Sequence, residues 1–193
     1  MKKLVLTVSV LIIFSSCVSS AVVMKEMYSE YYTIAEQYAE NKNYTKALEY
    51  YNKARSDPEL YNSCTYKMAR LYAITGEYES ALELFTYLLE QDPQNASIMS
   101  SLAYVYAKQG SYDEAQALYE KIIEKYEYDT VSMKNLIMIY NHKGDKEKAA
   151  KLAENYSLKF PHDTQVFSLI TEDSKEDEET ILDIEDSEQS SVQ

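Results

Sequence analysis

The apolar and polar positions of this chain recur every 34 residues between residues 28 and 163. Four columns of equivalent positions carry the pattern. They hold alanine at Ala47, Ala81, Ala115 and Ala149, tyrosine at Tyr38, Tyr72, Tyr106 and Tyr140, glycine at Gly76, Gly110 and Gly144, and an aromatic ring at Tyr44, Tyr78 and Tyr112, with Lys146 in the fourth place. A repeat of this length, kept in step without insertions, is typical of stacked supersecondary units.

Each repeat has the pattern of two helices joined by a tight turn. In the second repeat, Met68 and Tyr72 lie four residues apart, on one face of a first helix. Gly76 follows, and glycine readily takes the left-handed conformation that ends a helix. The apolar stripe of the second helix, at positions i, i+4 and i+7, consists of Ala81, Phe85 and Leu88. Proline stands near the end of three repeats, at Pro58, Pro93 and Pro161.

The first repeat lacks the turn glycine and has "ENKN" there, at residues 40–43. Asparagine takes the left-handed conformation more easily than most residues do. We therefore expect Asn41 or Asn43 to supply it.

These columns resemble those of the tetratricopeptide repeat (TPR) family, including bacterial TPR-containing lipoproteins. The stretch "NYTKALEYYNKARSDP" is similar to the family's second helix and exit. The resemblance implies an all-α fold, a right-handed α-solenoid of four helix-turn-helix units closed by a C-terminal capping helix over residues 164–171. The four repeats are predicted at residues 28–61, 62–95, 96–129 and 130–163.

In the TPR family, the first helices line a concave groove that binds a peptide or a helix of a partner protein. Transferred to this sequence, the resemblance implies a partner-binding groove formed by Tyr32, Glu36, Tyr66, Arg70, Tyr104, Lys108, Lys134 and Met138. Tyrosine and arginine are common at binding hot spots, since each offers a large contact area with a polar end. The alternative is that these residues are ordinary solvent-facing side chains.

Charge and composition argue against several other functions. The net charge is −13, of which −9 falls on residues 171–193, so no basic surface for nucleic acid is expected. We interpret residues 172–193 as an acidic disordered tail, in which the apolar "ILDI" could instead dock on another surface. All three glycines belong to predicted turns, so none is left for a glycine-rich phosphate loop. His142 and His162 lie 20 residues apart, and neither has an obvious partner nearby with which to bind a metal ion. The sequence therefore predicts no enzyme activity, no metal site and no cofactor.

The N-terminal residues have the pattern of an export signal, predicted at residues 1–16. Lys2 and Lys3 precede the apolar "LVLTVSVLIIF", whose 11 residues would form a helix about 16 Å long, too short to span a bilayer. "FSSC" then resembles a bacterial lipobox, although Phe14 stands where leucine is typical. It implies lipidation of Cys17, followed by a tether over residues 17–27. Cleavage after "VSSA" and secretion is one alternative, and an uncleaved signal anchor is the other.

The second cysteine, Cys64, is expected to be a small buried hydrophobe, because either type of processing removes Cys17 as a disulfide partner. Together these patterns predict a lipid-anchored TPR adaptor of the cell envelope, facing the periplasm or in the outer membrane, that takes part in an envelope assembly or transport complex. Three alternatives are open: a secreted, unanchored TPR protein, a solute-handling protein with a tyrosine-lined pocket between Tyr66 and Tyr104, and a self-associating structural protein.

Overall fold

The computed structural model describes residues 22–163, and over this range the chain forms helices and turns without any strand. Helix α1 covers residues 22–40 of the described chain. The helices that follow are α2 (Tyr44–Ala54), α3 (Tyr61–Ile74), α4 (Tyr78–Gln91), α5 (Ala96–Lys108), α6 (Tyr112–Lys125), α7 (Thr130–His142) and α8 (Lys146–Lys159). The predicted all-α helical-repeat fold is thus confirmed, and two helices correspond to each repeat.

The start of α1 differs from the predicted boundary. Residues 22–27 are helical, so that part of the predicted tether continues directly into the first repeat helix. The predicted signal (1–16), the lipidation site Cys17, the capping helix (164–171) and the acidic tail (172–193) lie outside the described residues.

The chain divides into two compact units, residues 1–71 and 72–193, with the boundary inside α3. In the first unit, α1 packs on α2 through tyrosine rings: the ring of Tyr50 lies 5.9 Å from that of Tyr31 and 5.5 Å from that of Tyr38, between centroids. In the second unit, each helix from α4 to α8 packs against the next one along the chain. Neighbour-to-neighbour packing of this kind is how helical repeats bury faces that no single repeat could bury.

The alanine column lies at the centre of this packing. Ala47, Ala81, Ala115 and Ala149 are all completely buried. In each second helix the residues four and seven positions later are also buried, and at least one of the two is large: Tyr51 and Ala54, Phe85 and Leu88, Tyr119 and Ile122, Ala153 and Tyr156. Compared with α2, the tyrosine and the alanine have exchanged positions in α8, so these two helices bury the same pair of side chains in a different arrangement.

All four turns between paired helices have the same backbone geometry. Gly76, Gly110 and Gly144 have φ values of 81°, 78° and 79°, as predicted. The residue after each glycine donates its backbone N–H to the carbonyl of the column tyrosine, as in the 2.8 Å bond from Glu77 to Tyr72. This hydrogen bond belongs to the Schellman motif, which satisfies carbonyls left over at a helix end.

The first repeat makes this turn without glycine or asparagine at the critical position. Lys42 has a φ of 56°, and Asn43 still donates to the Tyr38 carbonyl at 2.8 Å. The expectation that Asn41 or Asn43 would be left-handed is therefore wrong. Asn43 is instead the N-cap of α2, and its side chain accepts a hydrogen bond from the Lys46 backbone N–H. Lys42 stands 34 residues before Gly76, so its position in the repeat, and not its own conformational preference, places it in the left-handed conformation.

Candidate partner-binding face

In the first unit, the predicted groove residues Tyr32 and Glu36 also hold helices together. The Tyr32 hydroxyl lies 3.2 Å from the Ser63 hydroxyl, and its ring meets the ring of Tyr51 edge-on at 5.6 Å. Glu36 accepts hydrogen bonds from the Tyr51 hydroxyl and, at 3.2 Å, from Lys67 Nζ. Glu36 thus links α1 with α2 and α3.

The electrostatics of this cluster keep Tyr51 protonated. Burial first, and then the hydrogen bond to Glu36, raise the pKa of Tyr51 far above its ordinary value of 10.0. The phenol therefore remains a donor throughout the physiological pH range. The next two predicted residues on this side, Tyr66 and Arg70, lie on α3, where Tyr66 is half-buried and Arg70 is only 8% exposed.

In the second unit, the predicted residues lie on α5 and α7. We use the name α5–α7 face for Ser100, Tyr104, Lys108, Lys134 and Met138. On α5, the Lys108 ammonium lies 5.7 Å from the centroid of the Tyr104 ring, within the range of a cation–π contact. On α7, Lys134 Nζ pairs with the Asp163 carboxylate at 2.6 Å and lies 5.6 Å from the centroid of the Tyr156 ring.

The apolar members of the α5–α7 face are buried. Tyr104 is 5% exposed and Met138 is 4% exposed, although both were expected to face outward into the groove. Six consecutive residues of α7, Asn135–Tyr140, are buried, which means that every side of the helix is covered over this stretch. In the neighbouring α6 only one stripe is buried, as is usual for an amphipathic helix.

A cavity of about 530 Å³ opens where α5 and α7 begin. Two exposed rings stand at its wall, Tyr126 at 41% and Tyr128 at 63% exposure. Its lining consists of Ala96, Ser97, Ser100, Lys125, Tyr126, Glu127, Tyr128, Asp129, Thr130 and Val131. The cavity adjoins the α5–α7 face at Ser100.

This cavity was not predicted from the sequence, although the sequence contains a signal for it. Tyr126 and Tyr128 follow α6, and the equivalent positions one repeat earlier are Asp92 and Gln94. Aromatic residues that break the repeat at exposed loop positions are candidates for binding, since the repeat core does not require them.

Reactive groups elsewhere in residues 22–163 have ordinary structural environments. His142 is exposed and stacks on Tyr112, with ring centroids 5.3 Å apart and planes 5° from parallel. Cys64 is completely buried, as predicted, and burial raises the pKa of its thiol from 9.0 to about 11. In this part of the chain no three His, Cys, Asp or Glu side chains are grouped so that they could hold a metal ion.

None of the helices within residues 22–163 has both the length and the apolar character that crossing a bilayer requires.

The paired helices, their shared turn and the buried alanine column define a helical-repeat protein. The family model for the tetratricopeptide repeat matches residues 72–129 and again residues 107–172, which together make up more than half of the chain. The chain belongs to the tetratricopeptide repeat family. Repeats of this family are generally modules for protein–protein interaction.

Solved structures of the same fold support this assignment. A crystal structure of MamA is 18% identical with a TM-score of 0.63, over 75% of this chain and 79% of MamA. MamA from Desulfovibrio magneticus RS-1 is 17% identical with a TM-score of 0.67, over 74% and 81%. YrrB, described as a TPR protein with an unusual peptide-binding site, is 19% identical with a TM-score of 0.60, over 72% of each chain. No curated protein sequence matches the chain significantly.

Proposed function

We propose that this TPR protein is a non-enzymatic adaptor of the cell envelope, anchored by lipid at Cys17, that binds a peptide or helix of a partner protein with its first helices. Membership of the TPR family supports the interaction role. The observation that carries the proposal is the cavity of about 530 Å³ beside Ser100, with two exposed tyrosine rings at its wall. Concave sites with a few placed polar groups are the usual form of a binding site.

The chemistry of this region favours a partner segment that is both acidic and apolar. Lys108 lies over the ring of Tyr104 on α5, and Lys134 lies on α7 four residues before Met138. Cations of this kind select and orient an acidic segment, and large rings contribute contact area at low entropic cost.

The proposed location follows from the N-terminal sequence. The positive Lys2–Lys3 pair, the short apolar segment and "FSSC" together resemble a lipoprotein signal. An acyl-chain anchor at Cys17 would hold the repeats close to a membrane without a spanning helix. Partner binding next to a membrane suits a component of an envelope assembly or transport complex.

The binding role is tested by a crosslinking pull-down from the envelope fraction of the source cells. One variant replaces Tyr66, Arg70 and Tyr104 by alanine, and circular dichroism must first show that it is folded, since two of these residues are buried. A milder variant combines Lys108→Gln with Tyr126→Ala. Its matched control combines Lys121→Gln with Tyr87→Ala, which change exposed residues on α6 and α4.

We expect the milder variant to recover about one tenth or less of the partner that the wild type recovers, and the control to recover as much as the wild type. The same set of captured proteins at the same yield from all three chains would reject the assignment of the binding face.

The anchor is tested separately by mass spectrometry of the mature N-terminus. A diacyl modification on Cys17 supports the anchor, and Cys17→Ser should then move the protein from the membrane to the soluble fraction. A mature chain that starts at Val22 without lipid would show a secreted protein instead.

A further inference from the structure

The α5–α7 face combines buried apolar residues with two lysines. Tyr104 and Met138 are buried, and α7 is buried on every side between Asn135 and Tyr140. The face also presents the ammonium groups of Lys108 and Lys134, both half-buried. A helix that is buried around its whole circumference needs neighbours on all sides.

We propose that the acidic C-terminal segment, residues 171–193, docks in cis on the α5–α7 face and competes there with the partner protein. The docking stands independently, and only the competition rests on the proposed function. The protein would then carry its own inhibitor, which an incoming partner must displace.

Charge is the first argument for this occupant. Residues 171–193 contain ten acidic side chains and one lysine, a net charge of −9. The segment also holds the apolar stretch "ILDI" at residues 181–184, flanked by acidic residues. An acidic segment with a short apolar centre matches a face that carries Lys108 and Lys134 together with the apolar residues Tyr104 and Met138.

The point at which the described chain ends is the second argument. Asp163 accepts hydrogen bonds from the Tyr156 hydroxyl at 2.5 Å and from Lys134 Nζ at 2.6 Å. The chain therefore continues from a position directly beside the α5–α7 face. Lys134 therefore fixes this exit point.

The length of the segment is the third argument. The 30 residues after Asp163 can extend over about 100 Å, whereas a 13-residue helix such as α5 is about 20 Å long. Because α5 and α7 both pack on α6, their axes lie within about 20 Å of each other. A short link also gives the segment an effective concentration near the millimolar range, so individually weak ion pairs suffice to hold it.

The docking is tested on the full chain by zero-length carbodiimide crosslinking at low salt, with the linked peptides identified by mass spectrometry. We expect links from Lys108 and Lys134 to carboxylates of residues 171–193, at about five times the yield of links from Lys121 and Lys151, which are exposed on α6 and α8. These links should disappear at 1 M salt, where charges separated by more than about 3 Å are screened. The Lys134–Asp163 link serves as the internal positive control.

Two outcomes of the crosslinking would overturn the proposal. In one, all four lysines link equally to the acidic segment, which would mean that it has no preferred site. In the other, isotope-labelled and unlabelled chains are mixed, and most crosslinks join a labelled chain to an unlabelled one. That result would assign the face to the acidic segment of a second copy.

A second experiment measures how well the segment is protected in the intact chain. A glutamate-specific protease should cut residues 171–193 about five-fold more slowly at low salt in the wild type than in a Lys108→Gln, Lys134→Gln variant. The control variant Lys121→Gln, Lys151→Gln should behave as the wild type does. Equal cleavage rates for all three chains would contradict docking.

The competition is examined last and separately. Changing the acidic residues of 176–188 to their amides should raise partner recovery in the pull-down several-fold. If crosslinking succeeds and recovery does not change, the segment docks without regulating. If no partner is captured from any chain, the proposed function fails while the docking result stands.

Discussion

Lys42 and Gly76 hold the same left-handed backbone conformation at equivalent places in successive repeats, with φ values of 56° and 81°. The residue after each donates to a tyrosine carbonyl at 2.8 Å, Asn43 to Tyr38 and Glu77 to Tyr72. The turn is therefore conserved in geometry although only one of the two residues suits it. A side chain with a Cβ is strained in this conformation by about 1–2 kcal/mol.

Lys42→Gly should stabilise the protein because it relieves this strain. Glycine loses more backbone entropy on folding, so we expect a net increase of about 0.5–1 kcal/mol in the free energy of unfolding. Urea denaturation followed by circular dichroism measures the change. The control Lys42→Ala removes the same charge but keeps a Cβ, and it should leave stability nearly unchanged. A gain of equal size in both variants would point to charge rather than strain.

Gly110→Ala should have the opposite effect. A Cβ at Gly110 would have no neighbouring atom within 4 Å, so the whole penalty comes from the backbone at its φ of 78°. We expect the free energy of unfolding to fall by about 1 kcal/mol for alanine, and by less for asparagine, which tolerates this conformation better. Thermal or urea denaturation of both variants provides the comparison. Equal losses for the two would show that left-handed preference is not the cause.

A third prediction concerns the buried pair of Tyr119 and Asn135. Asn135 Nδ2 donates to the Tyr119 hydroxyl at 3.0 Å, while its Oδ1 has no hydrogen-bond partner within residues 22–163. Tyr119→Phe would leave the buried amide without an acceptor, and we expect a loss of about 1–3 kcal/mol in the free energy of unfolding.

The preceding repeat supplies the matched rescue. One period earlier, Phe85 stands for Tyr119 and Ser101 stands for Asn135. The double variant Tyr119→Phe, Asn135→Ser copies this pair and should recover most of the lost stability. A double-mutant cycle measures the coupling. Additive effects would indicate that the two side chains are energetically independent.

The fourth prediction concerns the reactivity of Cys64. Burial raises the pKa of its thiol from 9.0 to about 11, which lowers the reactive thiolate fraction at pH 8 about 100-fold. We therefore compare the rate at which iodoacetamide modifies Cys64 in a native Cys17→Ser chain with the rate in the same chain unfolded in urea. The native rate should be at least about 100 times lower. Mass spectrometry of timed samples gives both rates. Comparable rates would place the thiol at the surface.

The same shift has a consequence for stability. Because the folded-state pKa lies above the unfolded one, the contribution of Cys64 is complete below pH 9 and is lost as the pH rises toward 11. Cys64→Ala should flatten this part of the stability profile.

The repeat, the pairs of helices, the buried alanines and the glycine turns could all be predicted from the amino-acid sequence alone. These features depend on requirements that each repeat meets locally. A close helix crossing needs a small residue, and a left-handed turn favours glycine. Alanine and glycine therefore recur in the sequence every 34 residues.

Where the sequence offers several residues for one role, three-dimensional packing selects among them. It placed the strain of the first turn on Lys42 rather than on an asparagine, and it bound Glu36 to Tyr51 and Lys67. It also buried Tyr104 and opened a cavity at the loop of Tyr126 and Tyr128. Such outcomes depend on contacts between residues far apart in the chain, where packing and burial determine the environment and no sequence period specifies it.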